Sequence, residues 1–286
     1  MGQAMPVLVR TFLVLGFLFI SILGAQELGV SAVSSTIPFQ LRSNFLVVVE
    51  GQVGEMDGLK FILDTGATNT FIDQKLADRL RLHRHPGKIT NFDREAAVDW
   101  AEIPVIRIGP FQAVNFRVMV AKLGKYSELA ENVDGIIGLD LLGRSKKLFI
   151  DYEKRTVSWE LSGDRAGGVP PPAYFTIPVV VQGYPMHLVI DTGFEVMLMY
   201  KERLHKGVPG FRTEGDGIEV DIGRLQTTQV KVPGVRLFGV ETVATVFLAD
   251  GPGTGNIPGI DGYLGVASLK AKHVEFDFAD RILRWR

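Results

Sequence analysis

Cysteine is absent from all 286 residues of the chain. Disulfide bonds, thiolate zinc sites and lipid attachment through an N-terminal cysteine are therefore excluded, and stability has to come from buried apolar side chains. An excess of charge of one sign is also absent, because 31 basic and 32 acidic residues leave a net charge of −1. No dense block of Lys and Arg is available to neutralise a phosphate backbone, so we expect no nucleic-acid partner.

Several common catalytic and cofactor signatures are missing as well. No glycine-rich phosphate loop precedes a predicted helix, and no serine-centred nucleophile elbow occurs. His83 and His85 alternate around Arg84, but no further His, Asp or Glu stands at the spacing of a supporting ligand. The sequence therefore predicts neither a metal site nor a cofactor.

The first 25 residues contain one charge, Arg10, and an apolar stretch from Thr11 to Leu23 that ends at Gly24-Ala25. This stretch is typical of a signal-peptide core, whereas a membrane span needs about 20 apolar residues. We expect an exported protein, whether periplasmic, secreted or anchored facing outward, with residues 1–25 as the signal. An uncleaved anchor that associates with a membrane stays open, because Leu23 stands where a cleavage site usually has a small residue.

The triplet Asp-Thr-Gly occurs twice, each time at the end of an apolar run. The two copies are Phe61 to Gly66 (FILDTG) and Leu188 to Gly193 (LVIDTG). A second signature follows each copy, DGIIG ending at Gly138 and DGYLG ending at Gly265. The register between copies is constant, since 191 − 64 and 265 − 138 are both 127, and a third repeat near each copy's end is offset by 126 (277 − 151). A period near half the chain indicates two copies of one small domain, because solenoid units run about 20 to 50 residues.

These motifs resemble those of the aspartic peptidases, specifically the retropepsin-like kind found as exported bacterial proteins. The resemblance rests on FILDTGAT (Phe61 to Thr68), DGIIGLDLL (Asp134 to Leu142) and their second copies, and it covers nearly everything from Ile37 to Arg286. It implies a mostly β fold of two acid-protease β-barrel lobes with short helices, related by a pseudo-twofold axis. It also implies that each lobe contributes one catalytic aspartate.

Glycine and proline mark the junction between the two copies. Residues 162–173 contain three glycines and three prolines, which is typical of a linker. We therefore assign lobe 1 to residues 26–161 and lobe 2 to residues 174–286.

Apolar and β-branched clusters predict a hairpin that delivers each aspartate. In lobe 1 the hairpin joins Phe45–Val49 to Leu59–Leu63; in lobe 2 it joins Thr176–Val181 to His187–Ile190 around a turn at Gly183-Tyr184-Pro185. Short helices are predicted after each hairpin. The first is capped by Asp73, and the second lies near Lys201–Leu204.

Asp64 and Asp191 are the candidate catalytic residues of an endopeptidase that acts on a polypeptide. Peptide hydrolysis by two carboxylates needs one ionised group to take a proton from water and one protonated group to hydrogen-bond the scissile carbonyl. Two aspartates about 3 Å apart achieve this by sharing one proton, since like charges that close cannot both ionise. The titration belongs to the pair, so the sequence assigns the acid role to neither.

Thr65, Gly66, Thr192 and Gly193 are expected to support the site without performing chemistry. The glycines remove a Cβ where the backbone turns sharply and presents amides to the carboxylates. The resemblance implies that the threonine hydroxyls hydrogen-bond across to the opposite loop. Further along each lobe, Gly138 and Gly265 are expected to permit close backbone approach beneath the loops.

The second loop departs from the family pattern, because Phe194-Glu195 stands where the first loop has Ala67-Thr68. Glu195 either adds a third carboxylate to the dyad or points to solvent. A binding module that kept the fold and lost activity is therefore an alternative function. A dimer with sites formed between chains is another, although the short linker favours a two-lobed monomer.

Segments that close over substrate are the least defined part of the sequence. The candidates are residues 89–102 in lobe 1, which lack glycine, and Glu214-Gly215-Asp216-Gly217 in lobe 2. Trp100 is either a substrate contact or a half-buried core aromatic.

The residue after each DTG predicts the pH dependence of hydrolysis. Ala67 and Phe194 carry no hydroxyl to hydrogen-bond the ionised dyad, which leaves its pKa values higher than in relatives with Ser or Thr there. We expect an optimum between roughly pH 4 and 7, and Ala67→Ser should move the profile of kcat/KM towards acid. An unmoved profile, or a wild-type optimum near pH 2, would contradict this.

Overall fold

β-strands make up most of the computed structural model, which describes residues 35–91, 94–123, 133–161, 174–204, 212–213, 227–249 and 259–286. The predicted signal segment, the linker at 162–173 and the lobe 2 candidate Glu214–Gly217 lie outside these residues. Residues 32–286 belong to one compact unit, so the assigned lobe boundaries stay a prediction. No helix in the described ranges is long and apolar enough to cross a membrane.

The secondary structure of the first half consists of eleven strands and two short helices within the described ranges. The strands are β1 (Ser35–Pro38), β2 (Gln40–Arg42), β3 (Leu46–Val53), β4 (Met56–Leu63), β5 (Phe71–Asp73), β6 (Arg84–Asn91), β7 (Arg94–Ile108), β8 (Phe111–Ala121), β9 (Gly135–Ile137), β10 (Ser145–Asp151) and β11 (Thr156–Leu161). The helices are α1 (Gln74–Arg79) and α2 (Leu139–Leu142).

The second half repeats this order with two single-turn 3₁₀ helices, Lys201–Arg203 and Val266–Leu269. Its strands are β12 (Thr176–Val181), β13 (Tyr184–Asp191), β14 (Met197–Tyr200), β15 (Arg212–Thr213), β16 (Thr227–Leu237), β17 (Val240–Ala249), β18 (Gly262–Gly265), β19 (His273–Asp277) and β20 (Ile282–Trp285).

Each half forms one large sheet, and the two sheets share seven strands in the same order, with β2 as an additional edge strand in lobe 1. The lobe 1 sheet has the order β2-β3-β4-β9-β5-β8-β7-β6, and the lobe 2 sheet has the order β12-β13-β18-β14-β17-β16-β15. Extra pairings of β3 with β7 and of β12 with β16 fold each sheet back on itself like a barrel. The predicted fold class, mostly β with two barrel-like lobes, is confirmed.

The strand that carries each aspartate lies inside its sheet, between its hairpin partner and a parallel central strand. Phe61 pairs with Gly135 across β4 and β9, and Leu188 pairs with Gly262 across β13 and β18. Both pairs repeat at the offset of 127 read from the sequence (188 − 61 and 262 − 135). Leu63 and Ile190, the residues directly before the two aspartates, are fully buried. Strands buried on both faces read as continuous apolar runs, which explains why an unbroken FIL or LVI precedes each triplet.

A third sheet contains strands from both halves, in the order β1-β11-β10-β19-β20. Its centre is the antiparallel pairing of β10 with β19, where Phe149 lies opposite Glu275. These two positions are equivalent in the repeat (275 − 149 = 126), so the pseudo-twofold axis passes through this pair. Lys147 of β10 also forms ion pairs with Glu275 (3.0 Å) and Asp277 (3.1 Å) of β19.

The predicted hairpins and the predicted cap of the first helix are confirmed. β3 pairs with β4 and β12 with β13, both antiparallel, and Asp73 Oδ1 accepts a hydrogen bond of 2.8 Å from the Lys75 amide. The predicted turn at Gly183-Tyr184-Pro185 is wrong, because Tyr184 and Pro185 already belong to β13. The turn consists of Gln182 and Gly183, which have φ of 48° and 89°. Two such residues fit the two-residue turns that match strand twist.

Candidate active site

The structure brings Asp64 and Asp191 together at the point where β4 and β13 end. Their carboxyl groups are in hydrogen-bonding contact with each other. Asp64 is buried, with 7% of its surface exposed, and Asp191 is partly buried. The Asp64 amide donates a 3.0 Å hydrogen bond to the Ile137 carbonyl of the central strand β9, which fixes the start of the first loop.

The two threonines form a reciprocal set of hydrogen bonds beneath the dyad. Thr65 Oγ1 donates to the Ile190 carbonyl (2.8 Å), and Thr192 Oγ1 donates to the Leu63 carbonyl (2.7 Å). Each hydroxyl also accepts from the opposite amide, at 3.0 Å from Thr65 N and 3.2 Å from Thr192 N. The cross-loop bonds implied by the resemblance are therefore present, and both threonines are buried with them.

The glycines of the two triplets are required by contact with the opposite aspartate. A Cβ on Gly193 would stand 2.7 Å from Asp64 Cγ, and a Cβ on Gly66 would overlap the Asp191 carboxylate. Neither glycine has a positive φ, so the sharp turn inferred from the sequence is not what selects them. Their amides do face the carboxylates: Gly66 donates to Asp64 (2.8 Å) and Gly193 to Asp191 (2.7 Å).

Burial raises the pKa of both aspartates. For Asp64 desolvation is the largest cause, and it is offset in part by the hydrogen bond with Asp191 and by the Gly66 and Ala67 amides. For Asp191 desolvation again comes first, and the charge of Asp64 raises the pKa further, well above its ordinary value. A carboxyl pair in this state keeps one proton into weakly acidic conditions.

The glycine that ends each of the repeats DGIIG and DGYLG has a structural reason. A Cβ on Gly138 would lie 3.0 Å from the Ala67 carbonyl oxygen, and a Cβ on Gly265 would meet the Phe194 backbone. The Leu139 amide donates to the Ala67 carbonyl at 2.8 Å, next to this close approach. These glycines let the central strand of each lobe support its aspartate loop, as predicted.

The second loop carries Phe194 and Glu195 where the first loop carries Ala67 and Thr68. Phe194 packs against a small apolar cluster of lobe 2, and Glu195 is exposed. Ser268 Oγ donates to the Glu195 carbonyl (3.0 Å), which fixes the backbone there. Glu195 therefore does not supply a third buried carboxylate.

In the lobe 1 candidate closing segment, residues 89–91 end β6 and residues 94–102 belong to β7, and these two strands pair antiparallel. Trp100 is half-buried, stacks on His85 (centroids 4.3 Å apart) and lies under the Arg117 guanidinium (4.4 Å). These contacts favour the structural interpretation of Trp100. Within the described residues no cluster of His, Asp and Glu could hold a metal ion, and His83 contacts His85 as an aromatic neighbour.

Two tyrosines lie beside the dyad, and sequence reasoning missed Tyr174. Tyr174 forms side-chain hydrogen bonds with Thr68 and Tyr263, and burial together with the charge of Asp64 raises its pKa to about 12. Burial raises the pKa of Tyr263 as well, with Tyr174, Tyr200 and the two aspartates contributing. Tyr263 occupies in DGYLG the position that Ile136 occupies in DGIIG, so this difference between the repeats indicates it in the sequence. Tyr174 follows the linker, where no pattern singled it out.

The two DTG loops face each other at the ends of equivalent strands. Residues 49–141 match the model of a family described as aspartyl protease. No curated protein matches the chain. The match and the duplicated motifs confirm the resemblance to the retropepsin-like aspartic peptidases, and they support a general aspartic protease function.

Several solved structures are similar to the chain at low identity. A retropepsin-like aspartic protease from Rickettsia conorii is 18% identical with a TM-score of 0.32, covering 44% of this chain and 90% of that one. An aspartic proteinase from Irpex lacteus is 14% identical with a TM-score of 0.47, covering 87% and 96%. Basic 7S globulin from soybean is 11% identical with a TM-score of 0.45, covering 88% and 94%.

Replacing Thr65 by Val should uncouple the two loops. The change keeps the shape but leaves the buried Ile190 carbonyl and Thr192 amide without their partner, so the free energy of unfolding should fall by about 2 to 4 kcal/mol. Urea denaturation measures this. Thr36→Val is the matched control, because Thr36 is exposed and its hydroxyl lies 2.9 Å from Ser158 Oγ. Its effect should stay within about 0.5 kcal/mol, and equal effects of the two variants would contradict the cross-loop role.

Proposed function

We propose that the chain is an aspartic endopeptidase that hydrolyses peptide bonds with a water molecule activated by Asp64 and Asp191. The observation that carries the proposal is the contact between the two carboxyl groups, each of which accepts an amide of its own loop. Burial raises both pKa values, which favours a shared proton. That protonation state is the one that acid–base hydrolysis by two carboxylates requires.

The hydrogen bonds around the dyad favour Asp64 as the ionised member. Asp64 Oδ1 accepts two amides of its own loop, from Gly66 (2.8 Å) and Ala67 (3.0 Å), whereas Asp191 Oδ1 accepts one amide of its own loop, from Gly193 (2.7 Å), and the Gly66 amide of the opposite loop also stabilises its charged form. Hydrogen bonds to a carboxylate stabilise its charged form. We therefore propose Asp64 as the ionised member, because its Oδ1 accepts the additional Ala67 amide, and Asp191 as the holder of the shared proton.

The reaction follows from this assignment. Asp64 takes a proton from water as the water oxygen attacks the carbonyl carbon, and Asp191 gives its proton to the carbonyl oxygen. When the C–N bond breaks, the proton held by Asp64 passes to the leaving nitrogen. A hydroxyl of the tetrahedral intermediate returns a proton to Asp191, and the dyad is restored.

The sequence alternatives are less well supported than this proposal. The inactive binding module was suggested by Phe194-Glu195, and the exposure of Glu195 removes the reason for it. Sites formed between two chains are unnecessary where Thr65 and Thr192 of one chain hydrogen-bond to each other's loops. The protein we propose is therefore a monomer that acts on polypeptides, exported as the sequence of residues 1–25 predicts.

Asn in place of either aspartate should abolish turnover. Asp64→Asn and Asp191→Asn each remove the acid–base pair, and kcat on unfolded casein should fall by roughly a thousandfold or more. Circular dichroism should show an unchanged fold, and Asp57→Asn at the exposed start of β4 is the control. Near wild-type activity in either dyad variant would refute the shared site.

Specific activity should not depend on protein concentration. Both aspartates come from one chain, so dilution leaves the site complete. Activity assayed over a wide dilution series, with the mass measured by light scattering, tests this. A specific activity that rises with concentration would argue for sites assembled from two chains.

A further inference from the structure

Each lobe places a small side-chain cluster beside its aspartate loop, and the two clusters are equivalent. The first-loop cluster consists of Leu46, Val48, Ile62, Leu123, Val133 and Ile136, with Phe45, Ala67, Phe71 and Ala121 against it. The second-loop cluster consists of Val189, Leu198, Tyr200, Ala249, Ile260 and Tyr263, with Tyr174 and Phe194 against it. Sheet register relates them: Ile62 pairs with Ile136 where Val189 pairs with Tyr263.

Three tyrosines distinguish the second-loop cluster, namely Tyr174, Tyr200 and Tyr263, and two of them stand where lobe 1 has an aliphatic residue. Tyr263 stands where lobe 1 has Ile136. Tyr174 stands where lobe 1 has Leu46. Tyr174 lies two residues before Thr176, which pairs with Val189. Leu46 lies two residues before Val48, which pairs with the equivalent residue Ile62. Aliphatic side chains therefore suffice to pack this part of the fold. Burial of a phenol hydroxyl is unfavourable unless it is hydrogen-bonded, so the lobe 2 hydroxyls need another explanation.

The hydrogen bonds of Tyr174 cross from lobe 2 to the first aspartate loop. Its hydroxyl contacts Tyr263 within lobe 2 and Thr68 of the first loop. Its main chain is also fixed, because Arg281 Nη2 donates to the Tyr174 carbonyl (2.9 Å) while the guanidinium lies over Phe175 (5.4 Å). The main chain of Tyr174 is thus fixed within lobe 2, while its hydroxyl contacts lobe 1.

Thr68 directly follows the residue whose amide contacts the dyad. The Ala67 amide donates to Asp64 Oδ1 (3.0 Å), and the Thr68 carbonyl accepts from the Asp140 amide (3.2 Å). The hydrogen bond between the Tyr174 hydroxyl and Thr68 therefore helps to fix the direction of the neighbouring Ala67 amide. On the lobe 2 side the residues that match Ala67 and Thr68 are Phe194 and Glu195, which have no such hydroxyl.

We propose that Tyr174, together with Tyr263, is a positioning residue for the dyad. Its hydroxyl holds the first loop through Thr68, keeps the Ala67 amide directed at Asp64, and so selects Asp64 as the ionised aspartate. This inference rests on the proposed function for its catalytic consequence, and on the hydrogen bonds alone for its effect on the titration of Asp64.

The groups that face the dyad from the packed elements are few among the described residues. They are Asp64 and Asp191 themselves, with Tyr174 and Tyr263 from lobe 2 and Tyr200 behind Tyr263. Asp140 lies below the first loop, where it accepts from Thr70 Oγ1 (2.6 Å), and burial raises its pKa. Glu195 is exposed.

Tyr174→Phe tests the proposal, because it keeps the ring and removes the hydroxyl. A weakened amide bond to Asp64 disfavours the ionised form, so the acid limb of the kcat/KM profile should move to higher pH by about half a unit to one unit. Thr68→Val should move it in the same direction. The double variant should show no more than the larger single shift, since both changes break one connection.

Tyr152→Phe is the matched control, because the Tyr152 hydroxyl is buried and its ring packs on Phe39; Tyr152 directly follows β10 and Phe39 directly follows β1. It should leave the acid limb unmoved. An unmoved limb in Tyr174→Phe, or additive shifts in the double variant, would overturn the proposal. A merely structural role would lower stability without moving the limb.

A carboxyl titration separates this inference from the proposed function. ¹³C NMR of the Asp carboxyls in wild type and Tyr174→Phe reports the lower apparent pKa of the dyad without any substrate. A rise in that pKa supports the positioning role even in a protein that cleaves nothing, in which case only the peptidase proposal fails. An unchanged pKa overturns the positioning role, whatever the activity.

Discussion

The repulsion between two buried carboxyl groups is the constraint around which this molecule is arranged. Asp64 and Asp191 touch in a place that water solvates poorly, and burial raises both pKa values. Such a pair survives folding only if it keeps a proton and if its backbone cannot move apart. The hydrogen bonds of Thr65 and Thr192 keep the backbones from moving apart, because each joins its loop to a carbonyl near the end of the opposite aspartate strand.

The rest of the fold brings these two strand ends face to face. Each aspartate strand is held inside its own sheet, and the two sheets are joined by a third in which β10 pairs with β19. The equivalent positions Phe149 and Glu275 pair directly there. The pseudo-twofold axis is thus defined at the sheet and again at the dyad. A loop displaced on one side would lose hydrogen bonds on both.

Local patterns in the sequence were sufficient for the features that repeat. Both hairpins and the cap at Asp73 follow from short-range chemistry. The duplication of the motifs allowed the hairpins and the glycines beneath the loops to be inferred in both lobes. The turn after β12 was misplaced by one residue, because Tyr184-Pro185 looks like a turn while Gln182 adopts a positive φ that no composition rule assigns to glutamine.

Features that depend on contacts between distant residues were not accessible in this way. Gly66 and Gly193 were correctly selected, yet for a reason that exists only between lobes, since each lies against the other lobe's aspartate. The elevated dyad pKa was attributed to missing hydroxyls after each triplet, whereas desolvation is the largest cause. Tyr174 carried no motif at all, because its importance comes from a partner more than a hundred residues away in the chain.

The unequal clusters beside the two loops bear on what duplication within one chain permits. In an assembly of identical lobes the two aspartates would have the same surroundings, and neither would bind the shared proton more strongly than the other. Here Ile136 and Tyr263 occupy the same place in the two copies and differ. Once both copies are encoded separately, the residues around each aspartate can change independently. The site can then be polarised before substrate arrives, so a water molecule meets a base on one side and an acid on the other.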